Sequence, residues 1–284
     1  MNEFIAALAH HHFLQYALLA GLLASLACGA VGSLVVARRL TYLAGAIAHS
    51  VLGGMGAARY LQVTQGWAWC TPLWGAVASG LLAALVVGLV SLKARQREDT
   101  IIGAIWALGM ALGIIFISRT PGYDVDLMAY LFGSILLVGP SDLWLLGGLD
   151  LLLALVVTGL YRQLLAVCFD EEFARLRGLN ADLYFLLLLG LTALTVVILS
   201  TVVGLVMVIA LLTLPAAVAG QFFHRLWQIM AGAVAVSALF TSLGLGLSYG
   251  PDLPAGATII LLAGAAYLLV ALGAWLSRRR PARG

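Results

Sequence analysis

The chain has 284 residues, of which 63% are hydrophobic and 10% are charged, well below the roughly 25% charge of a soluble domain. A mean hydropathy of +1.08 and the lack of a long polar stretch exclude a separate soluble domain, leaving one polytopic membrane domain over residues 1–284. The net charge of +3 does not point to nucleic acid, because the basic residues are scattered over separate short breaks.

A helix crosses the ~30 Å hydrocarbon layer with about 20 apolar residues. Runs of that kind lie near 13–37, 42–61, 72–92, 100–118, 143–161, 183–199, 201–220, 229–248 and 256–276. They predict an all-α integral membrane protein, a bundle of about eight or nine transmembrane helices. Thirteen of the fifteen Lys and Arg residues fall in alternate breaks: Arg38 and Arg39; Lys93, Arg95 and Arg97; Arg162, Arg175 and Arg177; Arg225; and Arg278, Arg279, Arg280 and Arg283. Arg59 and Arg119 lie in the other breaks. Basic residues stay cytoplasmic during insertion, so the first set is read as inside. Nine crossings then put the N-terminus outside and the C-terminus inside.

Residues 2–12 read as a short interfacial helix without the features of a cleaved signal peptide. His10-His11-His12 read as a polar cap, with metal gathering as the competing reading. The second run, Thr41 to Arg59, holds ten Gly, Ala or Ser residues between Ala44 and Ala58. Small side chains let helix backbones approach closely, so this helix is expected inside the bundle. His49 lies eight residues into it, about 12 Å deep at 1.5 Å per residue. An ionisable group there faces a partner or a path, and neutral imidazole is a common ligand for divalent transition metals. The bland alternative is a histidine bonded to a backbone carbonyl of a neighbouring helix.

Asp124 and Asp126 precede the short apolar segment 127–138, which is too short to cross and reads as a re-entrant or interfacial helix near the outer face, ended by Gly139-Pro140. The two acids could receive a cation from outside or simply keep a loop solvated. Asp150, within the fifth span, reads first as a carboxyl paired inside the bundle or protonated. The inside segment from Phe169 to Asn180 carries helix-start acids, basic residues in its last turn and a Gly178 stop. Residues 200–204 read as a tight outer turn. The inside segment 219–228, with Phe222, His224, Arg225 and Trp227, reads either as a docking loop or as interfacial anchoring. Cys28, Cys70 and Cys168 show no CxxC spacing and no disulfide framework. No P-loop, HExxH or GxSxG motif is present, and Lys93 is the sole lysine, so enzymatic activity has no support.

Several stretches, in order, resemble the membrane permeases of ABC-type zinc, manganese and iron importers. These are Arg38-Arg39-Leu-Thr-Tyr-Leu with the His49 segment; Asp99-Thr-Ile-Ile-Gly103; Asp126-Leu-Met-Ala-Tyr-Leu-Phe-Gly133; Phe169-Asp170-Glu-Glu-Phe-Ala174 with Gly178; and Val203-Gly204 leading to Ala210-Leu-Leu-Thr-Leu-Pro215-Ala-Ala-Val-Ala219. The resemblance implies a homodimer, a separate cytoplasmic ATPase pair, an outer solute-binding protein and no resident cofactor. The cargo would be a divalent metal ion, zinc first, then iron or manganese. Metal would pass His49, with Asp124 and Asp126 at the outer side. The ATPases would meet Asp170, Glu171, Phe173, Ala174, Gly178, Phe222, His224 and Arg225.

One departure stands out. Many such permeases carry an acidic residue four positions before this histidine and a proline four positions after it, where this chain has Gly45 and Gly53. Loss of the carboxylate removes a hard oxygen ligand and argues against manganese. Two other readings stay open: a permease for metal chelates such as siderophores, and a proton-coupled secondary transporter using His49 and Asp150.

Overall fold

The computed structural model describes residues 4, 7–8, 10–93, 98–121, 133, 135–251 and 253–279. Among the described residues eleven α-helices follow one another: α1 (His12–Ala37), α2 (Thr41–Thr64), α3 (Pro72–Lys93), α4 (Glu98–Arg119), α5 (Pro140–Gly159), α6 (Tyr161–Phe169), α7 (Glu171–Leu176), α8 (Ala181–Val203), α9 (Leu205–Phe222), α10 (Leu226–Tyr249) and α11 (Ala255–Arg279). Eight of them are long and apolar enough to cross a membrane. The ninth long helix, α2, is not among the eight, because its glycines and polar residues such as His49 and Arg59 dilute its hydropathy. It is nonetheless well sheltered, with every residue from Leu43 to Gly53 buried.

Lipid tails are as apolar as leucine, so helix association in a membrane depends on close packing rather than on hydrophobic exclusion. Helix α2 shows this directly. A Cβ at Gly53 would lie 2.7 Å from the Gly109 carbonyl oxygen, and one at Gly56 would lie 2.9 Å from that of Gly113. From the other side, a Cβ at Gly109 would lie 2.7 Å from the Ser50 Cα. Gly54 and Gly75 meet backbone to backbone between α2 and α3 in the same way. Gly109→Val is therefore expected to destabilise the solubilised protein by about 1–3 kcal/mol through overpacking. A thermal unfolding series with Gly190→Val as control, where nothing lies within 4 Å, checks this.

The other helices build a second group. Helix α1 packs on α10, α9 and α5, and α11 closes on α9 and α10. Helix α8 joins the groups by touching α3, α2, α1, α9 and α5. Buried hydroxyls in this core bond to carbonyls one turn back: Ser33 to Gly29 at 2.7 Å, and Thr192 to Leu188 and Thr195 to Leu191 at 2.8 Å. That removes the cost of polar atoms in an apolar interior. In contrast, only 11% of the most apolar stretches of α4 and α11 is buried, so these helices face outward from the single chain.

The expected turn at 200–204 shrinks to one residue. Ser200 and Thr201 stay helical because their hydroxyls donate to the carbonyls of Val197 and Ile198, each at 2.8 Å. Gly204 alone makes the reversal, at φ +86°, a conformation open to glycine. The fifth span starts earlier than expected, at Pro140, whose fixed φ and missing N–H suit the first helical position. Its amide neighbour Gly139 donates to Asp142 at 2.9 Å. Of the segment expected near 127–138, the described part contains a single 3₁₀ turn, Ile135–Leu137, with Ile135 buried among core residues. Gly133 and Val138 are also described, whereas residues 127–132 and 134, like Asp124 and Asp126, lie outside the described residues. Arg38, Arg39 and Arg175 share one cavity with Glu171 and Leu92, so two of the basic breaks lie together at one end of the bundle, beside the last turn of α3.

Candidate functional site

His49 is 9% exposed and sits in the sheltered part of α2. Its Nδ1 atom is buried with no hydrogen-bond partner in the chain. No neighbouring carbonyl holds the ring through that atom. The ring instead stacks on the Trp106 indole of α4, with centroids 4.5 Å apart and planes at 20°. Tyr42 packs against the same indole at 5.9 Å. A Cβ at Gly45, one turn before His49, would lie 2.8 Å from Trp106 Cζ3. Gly45, Trp106 and Tyr42 also line a cavity of about 420 Å³ that reaches Thr213 on α9 and Tyr267 on α11.

Among the described residues no group of three or more His, Cys, Asp or Glu side chains converges on a metal-sized point. His10, His11 and His12 are exposed, and His12 Nδ1 lies 3.2 Å from Gln15 Oε1. Asp150 has both carboxylate oxygens buried and without a hydrogen-bond partner, so the expected pairing with a bundle hydroxyl or arginine is absent. Its helix packs chiefly on α1 and α8, whereas the helix of His49 packs chiefly on α3 and α4.

The second cluster is built on α7. Asp170 caps it, its Oδ1 accepting from the Phe173 N–H at 2.9 Å. Glu171 accepts from Arg175 at 2.7 Å and also from Arg38, at the α1–α2 turn. Arg38 donates further to the Val167 carbonyl and lies over the Phe185 ring, 5.3 Å from its centroid. Arg175 reaches on to Asp182 at the start of α8. Hydrogen bonds, from Arg175 first and then Arg38, hold the Glu171 carboxyl below its ordinary pKa of 4.5. Arg39 sits in the left-handed region at φ +60°, which costs a non-glycine residue energy and marks the turn as held by its surroundings. Burial pushes the nearby Cys168 thiol up to about 11, so it is not a thiolate at neutral pH.

The expected docking residues thus divide by what they touch. Ala174 is fully buried against Val167 and Ala181 and anchors α7. Asp170 and Glu171 spend their carboxylates inside the chain. Phe173, Gly178, Phe222, His224 and Arg225 are exposed. Gly178 takes φ +81° as the expected helix stop, with Leu179 N–H donating to the Ala174 carbonyl at 3.0 Å. Sequence reading missed Leu176, which is 86% exposed three residues after Phe173, and Trp106. An apolar pair at helical spacing on a short polar helix was the available signal for the first. For Trp106 no periodic signal exists inside an apolar run.

The ABC 3 transport family matches residues 10–274 of the chain. The chain is 45% identical to an uncharacterized membrane protein of Synechocystis sp., over 95% of the chain and 93% of that protein. It is 34% identical to the manganese transport system membrane protein MntC of Halalkalibacterium halodurans, over 95% and 90%. Among solved structures, a chain of PsaBC from Streptococcus pneumoniae in complex with Fab is similar with a TM-score of 0.83 and 32% identity, over 95% and 94%.

Proposed function

The chain belongs to the ABC 3 transport family, and from that membership we propose that it imports a divalent first-row metal ion past His49. It is a multi-pass membrane protein, the permease subunit of a metal ABC transporter, and not an enzyme. The reading adds a cytoplasmic ATPase pair at the α7 face, a solute-binding protein outside, a second copy of the chain and a place in the inner membrane. The observation that carries it is the buried imidazole with an unpartnered Nδ1 on the tightly packed α2. A lone neutral imidazole binds a metal weakly enough to release it, which transport requires.

For the cargo we infer zinc, with iron next, because imidazole without a carboxylate suits these metals better than manganese. Manganese is the second reading, favoured by the printed name of the relative MntC. Total zinc, iron and manganese in chelator-grown cells, with and without this chain, decides between them. Selective loss of zinc is the expected result. Loss of manganese alone selects the second reading, and no change in any metal overturns the importer. The proton-coupled alternative is disfavoured because His49 and Asp150 lie on helices with different principal partners.

A further inference from the structure

We propose that Trp106 is both the gate beside His49 and the residue that sets its selectivity. This rests on the metal-permease reading. The indole fills the volume that a side chain at position 45 would need, since even a Cβ there would lie 2.8 Å from Cζ3 and 3.2 Å from Cη2. An acidic residue at position 45 would have to displace this indole from its place. With Trp106 in place, His49 is the sole metal-ligating side chain on its turn of α2. Its neutral nitrogen then discriminates against manganese, which prefers carboxylate oxygen.

The same ring also blocks the way. Trp106 lines the 420 Å³ cavity together with Gly45 and Tyr42, whereas His49, stacked on the indole at 4.5 Å, does not line it. The indole therefore stands between the imidazole and the cavity that continues to Thr213 and Tyr267. It offers no lone pair to a metal, so an ion leaving His49 meets a wall without a ligand until the ring moves. Tyr42 braces the ring at 5.9 Å. Gate and filter are thus one side chain, and its partner in the design is the absence of a side chain at Gly45.

The test uses the permease assembled with its ATPase and binding protein in proteoliposomes, with labelled zinc and manganese. Trp106→Ala is expected to raise ATP-independent zinc flux by about tenfold or more, while Trp106→Phe, which keeps a ring, stays closed. Gly45→Asp alone is expected to lower the unfolding temperature. Gly45→Asp with Trp106→Ala is expected to recover it and to shift the manganese-to-zinc transport ratio about tenfold toward manganese, the lower end of what changes around a metal ligand do to metal affinity. A Trp106→Ala transporter as ATP-dependent as the wild type overturns the gate. A double variant with an unchanged metal ratio overturns the filter, and one no more stable than Gly45→Asp overturns the shared volume. If the wild type moves neither metal, the metal-permease reading fails, and the stability cycle between positions 45 and 106 still judges the packing claim separately.

Discussion

Glu171→Gln is expected to leave ATP hydrolysis by the assembled transporter within about twofold of wild type while lowering metal transport by about tenfold, the equivalent of ~1.4 kcal/mol. Helix α7 has six residues, far too few to be stable alone. Two things hold it to the membrane helices: the buried Ala174 and the charged chain Arg38–Glu171–Arg175–Asp182. Phe173 and Leu176 remain exposed on the same short helix. In the proposed coupling, a force applied to these residues by an ATPase would pass through Glu171 to Arg38, which lies three residues before the helix that carries His49. Charge-assisted hydrogen bonds are worth about twice neutral ones, so the amide keeps the shape and loses the grip.

The pH dependence follows from the same group. Its folded-state pKa is depressed below 4.5, so its stabilising contribution is fully present above that value and is lost only as pH falls through the folded pKa. Coupling through Glu171 is therefore expected to be flat across neutral pH. Loss of ATPase binding in Glu171→Gln would recast the residue as a docking contact. Unchanged transport would remove the network from the coupling path.

Much of this was legible in the sequence because membrane insertion imposes simple rules. Twenty-residue apolar runs and alternate basic breaks placed the spans, and the small residues around His49 placed α2 inside the bundle. The hydropathy of α2 alone falls short, since the glycines that let it pack between α3 and α4 are among the residues that dilute its apolar signal. The turn at Gly204 was harder to bound because Ser200 and Thr201 look like turn residues, yet their hydroxyls satisfy helix carbonyls. The gain at Glu171 could not be read either. Its partner Arg38 is 133 positions away, and only the fold brings them together. Gly45 was visible as a departure, but that a tryptophan 61 positions on fills its place is a tertiary fact.

His49→Phe is expected to abolish transport while leaving the fold nearly intact, and this is the sharpest separation of ligand from packing role. The histidine does two things in the structure: it presents a buried, unpartnered nitrogen, and it stacks on Trp106. Aromatic stacking contributes about 0.5–1.5 kcal/mol beyond area burial. His49→Ala loses both the nitrogen and the stack, so a drop in transport with that variant alone is ambiguous. Phenylalanine keeps a ring against the indole and removes only the nitrogen. Removing outer partners of a metal ligand costs about 10–100-fold in affinity or activity, so losing the ligand itself is expected to cost at least about 100-fold in transport. Unfolding temperature, ATPase assembly and metal flux measured on wild type, His49→Phe and His49→Ala make the comparison. Full transport by the phenylalanine variant would return His49 to a packing partner of Trp106 and move the ion path elsewhere on α2. Loss of transport with unfolding unchanged fixes the imidazole nitrogen as the group the metal must pass.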